Sequence, residues 1–101
     1  MSARYTRFRD FYPFYLGEHS NRTCKRLHFA GSSMVLITFV ALAVTGRWAW
    51  WFLLPLFGYG FAWIGHFFFE KNRPATFTHP LYSFMGDWVM FRDILVGKLP
   101  L

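Results

Sequence analysis

The chain is short of acid, of cysteine and of any charge through its middle. Only 5 of its 101 residues are Asp or Glu, against 11 Lys and Arg. A single cysteine, Cys24, excludes an internal disulfide framework and a multi-cysteine zinc site. Between residues 29 and 69 the only charged residue is Arg47. The first 26 residues are charged and hold no apolar run of the kind a signal peptide needs, so none is expected. Apolar and aromatic residues are abundant instead: 54% of the chain is hydrophobic, with 14 Phe, 5 Trp and 5 Tyr. One soluble domain of this length has too little interior to hide so much apolar surface, so a membrane is the expected surroundings.

The basic residues flank the apolar runs. Arg4, Arg7, Arg9, Arg22, Lys25 and Arg26 precede the first run, and Lys71, Arg73, Arg92 and Lys98 follow the second. Bases spread in this way suit anionic lipid headgroups and argue against a nucleic-acid partner. The first run, "LHFAGSSMVLITFVALAVTG", covers residues 27–46, close to the ~20 residues a helix needs to cross a bilayer. The second, "WFLLPLFGYGFAWIGHFFFE", covers 51–70, and Pro55, Gly58 and Gly60 within it are commoner in membrane helices than in soluble ones. Only "RWAW" separates them, so the pair is expected to form an antiparallel transmembrane hairpin within one domain spanning residues 1–101. The charge asymmetry puts both termini in the cytoplasm and Arg47 on the far side. A buried helical hairpin of a soluble protein is the plainer alternative.

The flanking segments carry aromatic stripes. Tyr5, Phe8, Tyr12 and Tyr15, and later Leu81, Phe84, Met85, Trp88, Phe91 and Leu95, recur every three or four residues. Both segments predict amphipathic helices on the cytoplasmic surface of the membrane, giving an all-α membrane protein. Ser20 or Asn21 is the expected N-cap of the first spanning helix. So large an aromatic surface also predicts a homo-oligomer, against which a monomeric mass by light scattering in mild detergent would count.

All four histidines fall at the same end of such a hairpin. His28 and His66 lie at the cytoplasmic ends of the two spans, and His19 and His79 just outside them. Neutral imidazoles are good ligands for iron, zinc or copper, and ionisable groups at membrane depth are costly unless they serve a purpose. His66 and Glu70, four apart, share a helix face, so Glu70 is a candidate to orient His66 or to pair with Arg73. On one continuous helix His19 and His28 would be ~13 Å apart, so the "GEHS" segment must fold back over a helix that starts near residues 21–24. Asp87 and Asp93 are expected to be solvated or cap-forming.

"EHSNRTCKRLHFAG", followed after an apolar hairpin by "GHFFFEKNRPATF", resembles the small membrane proteins related to the fungal 2-hydroxy fatty acid dioxygenase. The resemblance covers about residues 11–97. It implies an iron(II)-dependent, histidine-ligated enzyme that uses O2 to shorten 2-hydroxy fatty acids by one carbon. Carried over, it makes His19, His28 and His66 the metal ligands, with His79 a further candidate. The resemblance leads us to expect an Asn between the first two histidines, where this chain has Cys24. The acyl chain is expected among Trp63, Phe67, Phe68 and the first helix, with Arg22, Lys25, Arg26 or Arg73 steering the carboxylate. Two rivals remain: a b-type haem held by His28 and His66, and a membrane hairpin that acts as an adapter without metal.

Overall fold

The computed structural model describes residues 5–101, so Arg4 lies outside the described residues. These are helical throughout, with no strand among them. Helix α1 (Phe8–Gly17) ends in a short loop, and α2 (Arg22–Thr45) starts at once beyond it. The Asn21 side chain caps α2, its Oδ1 accepting the Cys24 N–H at 3.1 Å. That cap ends one helix run and begins another, and so folds His19 back over the start of α2. A 3-10 turn (Trp48–Trp50) reverses the chain into α3 (Leu53–Ile64). Helix α3 continues into a π-helical turn (Gly65–Glu70), which Lys71 stops in the left-handed region at φ 60°. A second 3-10 turn (Ala75–Phe77) leads to α4 (Pro80–Leu95).

Helices α2 and α3 lie side by side because small residues let their backbones meet. A Cβ on Gly31 would stand 2.8 Å from the Phe57 carbonyl oxygen and 2.9 Å from the Phe61 Cβ. Gly31→Val therefore forces the hairpin apart. It is expected to destabilise the fold by about 1–3 kcal/mol, seen as a lower midpoint of thermal unfolding in detergent. Wild-type stability in that variant would show that the helices do not pack through this glycine.

Two helical segments, Arg22–Thr45 and Trp48–Glu70, are long and apolar enough to cross a membrane. The protein itself covers little of them: 28% and 17% of their most apolar stretches are buried. A hairpin at the core of a soluble protein would be mostly covered by its own chain. Helices α1 and α4 close one end of the hairpin. Phe11, Tyr15, Met90 and Ile94 form the core between them, and the Tyr12 hydroxyl donates to Asp93 at 2.8 Å. Phe29 of α2 stacks on Phe91 of α4, centroids 4.9 Å apart.

Helix α4 carries the expected apolar stripe mostly on its outer side. Leu81, Phe84 and Leu95 of its apolar stripe point outward, while Ser83, Gly86, Met90, Asp93 and Ile94 are buried. Small Ser83 and Gly86 allow close helix contact, and Met90, Phe91 and Ile94 fill the space beside them.

Candidate metal centre

Three histidines meet where α1, α2 and the π turn converge. His19, His28 and His66 are buried, at 2%, 5% and 3% exposure. The His19 ring lies 4.4 Å from that of His66 and 5.3 Å from that of His28, centroid to centroid. The sequence places His66 here through Gly65, where a Cβ would stand 3.0 Å from both the Cα and Sγ of Cys24. Without a side chain at 65, the π turn can lie directly on the first turn of α2.

The hydrogen bonds fix which nitrogens carry protons. His19 Nδ1 lies 2.8 Å from the Tyr15 carbonyl, which only accepts, so Nδ1 bears the hydrogen. The Asn72 amide donates to the Glu18 carbonyl at 3.1 Å and carboxylate at 3.2 Å. Its Oδ1 therefore turns to His66 Nδ1 at 2.8 Å, and that nitrogen too must be the donor. Burial first, then the neighbouring His28 and His66, hold His19 well below its ordinary value, so the ring is neutral. Both Nε2 atoms consequently present lone pairs, and they face each other at 2.9 Å. Two acceptors without a proton between them repel. The arrangement becomes favourable around an electron-pair acceptor. Two nitrogens bound at right angles, each about 2.1 Å from one first-row metal ion, stand ~3 Å apart, whereas tetrahedral ligands stand ~3.4 Å apart.

His28 is held differently. Its Nε2 lies 2.8 Å from Asp87 Oδ1 and 3.1 Å from the Tyr15 hydroxyl, which itself donates to Asp87. Burial, then the Asp87 charge, pushes the Tyr15 phenol well above its ordinary value and keeps it a donor. With Nε2–H given to the carboxylate, Nδ1 has the free lone pair, and it has no partner although it is buried. Each histidine thus gives one ring N–H to a fixed acceptor and keeps one nitrogen free, as metal-binding histidines do. A polar cavity of about 10 Å³, lined in part by His19, His28, His66 and Asp87, is about the size of one water or ion. Cys24 Sγ completes a set with His19 and His66 whose ligand atoms all lie within 4.8 Å of one another. His19, Cys24 and His66 fit a metal ion, while His28 falls outside that set, its ring 5.3 Å from that of His19.

Residues 5–99 match the family described as 2-hydroxy-palmitic acid dioxygenase Mpo1-like. The chain belongs to the Mpo1-like family. Nothing among the curated proteins or the solved structures matches it.

Within this Mpo1-like chain the remaining expected residues take other places. His79 is not brought to the cluster: its Nε2 accepts the Tyr5 N–H at 3.3 Å and its ring packs on Phe11, centroids 5.2 Å apart. Glu70 meets neither His66 nor Arg73. Its carboxylate accepts the Asn21 N–H at 2.6 Å and the Ser20 hydroxyl at 3.0 Å, because a helix start offers unpaired N–H groups and favours negative charge. Glu70→Ala is expected to cost about 1–2 kcal/mol of stability, read as a lower unfolding midpoint; an unchanged midpoint would leave the carboxylate without this role. Arg73 lies over the Phe77 ring at 5.6 Å. Lys25 and Arg26 donate to the carbonyls of Pro100 and Leu101, and Arg22 is exposed. Phe67 and Phe68, expected around the acyl chain, are 46% and 70% exposed.

Sequence reasoning missed Tyr15, Asn72 and Asp87. The signal for Asp87 was present: it is one of five acids in the chain, set in an apolar helical stretch, where a carboxylate needs a partner. Asn72 carried no such signal.

Proposed function

We propose that this Mpo1-like protein is an iron(II)-dependent dioxygenase that removes C1 of 2-hydroxy fatty acids at a membrane face. The observation that carries this reading is the pair of Nε2 lone pairs at 2.9 Å, with both tautomers pinned by acceptors. Neutral nitrogen donors leave the positive charge of a bound ion uncompensated, so the site favours an anionic chelating substrate such as a 2-hydroxy acid. Iron(II), when bound, would supply O2 activation for cleavage between C1 and C2, giving the acid one carbon shorter, carbon dioxide and water.

The chain's own residues do the rest. His19, His28 and His66 donate the lone pairs. Asp87 and Tyr15 hold the His28 ring, Asn72 holds that of His66, and Glu70 fixes the loop that carries His19. The cluster is buried and leaves room for about one water or ion. The two apolar segments cross the bilayer as one domain, with both termini and the site on the cytoplasmic side. There Arg22, Lys25, Arg26 and Arg73 draw anionic headgroups and acid substrates to the surface. The haem alternative finds little room, because His28 Nε2 is engaged by Asp87 and the space between the rings is about 10 Å³.

The test is metal content and visible spectrum after purification in mild detergent. The proposal expects about one iron per chain, as in a single-ion site, with no Soret band and with turnover of 2-hydroxy fatty acids. A Soret band would replace this reading with haem. Absence of iron after anaerobic reconstitution would leave a membrane hairpin without this chemistry.

A further inference from the structure

A second cavity, of about 300 Å³, opens beside the metal centre between α2, α3 and α4. His28 and Asp87 line both spaces, so the larger one begins where the smaller one ends. Beyond that pair its walls turn apolar, with Val35, Leu54, Pro55 and Trp88 carrying no charge. From His28 to Val35 the groove runs about 10 Å along α2. Phe84 and Tyr59 also line it and are themselves 53% and 39% exposed, which opens the groove sideways to an apolar environment. The shape matches an amphiphile: an acid head at the histidines and a hydrocarbon tail along the helices. A space of this size lies at the lower end of ligand cavities, so it sorts tails by bulk and length.

We propose that this groove binds the acyl chain of the substrate, and that Gly58 on its α3 wall sets how long a chain fits. The inference rests on the dioxygenase reading for the identity of the acid. A Cβ on Gly58 would stand 3.4 Å from Val35 Cγ2, an ordinary contact, so a side chain there is tolerated by the helices while it takes space from the groove. Gly60, two residues on, has no atom within 4 Å of such a Cβ and faces away. It lines a different surface depression with Leu56 and Ile64. The same substitution at the two positions therefore makes an equal change to the helix and an unequal change to the groove.

The experiment uses the full chain in mild detergent with a long 2-hydroxy fatty acid that carries a diazirine at mid-chain. After irradiation, adducts are mapped by peptide mass spectrometry. The expected result is labelling at Val35, Leu54 and Trp88, reduced roughly tenfold in Gly58→Leu and kept in Gly60→Leu. Turnover across a series of chain lengths should shift toward shorter acids in Gly58→Leu but follow the wild-type profile in Gly60→Leu. Should Gly58→Leu fail to fold, Gly58→Ala tests the same shift at smaller amplitude. Labelling centred on Phe67 and Phe68, or equal labelling of both variants, overturns the groove. So does turnover with one chain-length profile in all three proteins. Labelling that maps to the groove without turnover of any acid supports the groove and removes the dioxygenase reading instead.

Discussion

Replacing His66 with alanine is expected to lower bound iron at least about tenfold, while His79→Ala keeps the wild-type content. The difference follows from what each ring faces. The His66 Nε2 lone pair meets that of His19 at 2.9 Å, whereas His79 Nε2 is spent on the Tyr5 N–H. Elemental analysis of the two purified variants, each checked for helix content, reads the result. Equal iron in both would sink the assignment of His66.

The second large effect is expected from a residue that touches no metal in this scheme. Asp87→Asn keeps the shape beside His28 but removes the charge that favours Nε2–H and leaves Nδ1 as the free nitrogen. Partners of this kind are worth about 10- to 100-fold in metal affinity or activity. An equilibrium iron(II) titration of Asp87→Asn should show a loss in that range with the unfolding midpoint little changed. Unaltered affinity would mean that the His28 tautomer does not depend on the carboxylate.

Much of the layout was legible because it depends on local signals. Apolar run lengths gave the two long helices, and Asn21 gave the start of α2. Those two together required His19 to fold back toward His28 and His66. What was not legible depends on contacts across the chain. Asp87 meets His28 from 59 residues away, and nothing in either neighbourhood names the other. His79 is carried behind Phe11 by the turn at Ala75–Phe77, although its position in sequence suggested the cluster. In α4 the apolar period was visible, but which residues pack inward was not: Ser83, Gly86, Met90, Phe91 and Ile94 are buried while Leu81 and Phe84 stay exposed. Glu70 kept its place on the helix but found a stronger demand for its charge at the start of α2.

The π turn also bears on the length of its segment as well as on its composition. A π turn holds one residue more than the α-helical turn it replaces. Removing any one of Phe67, Phe68 or Phe69 takes out that extra residue, so Gly65–Glu70 closes to regular helix and the chain beyond it keeps nearly the same direction. The contacts of Asn72 with His66 and of Glu70 with Asn21 lie at the ends of the turn and would be kept. Exchanging those three phenylalanines for other apolar residues disturbs neither contact, because their side chains point outward. The segment can therefore drift in spelling and even lose one residue while its two ends stay where they are.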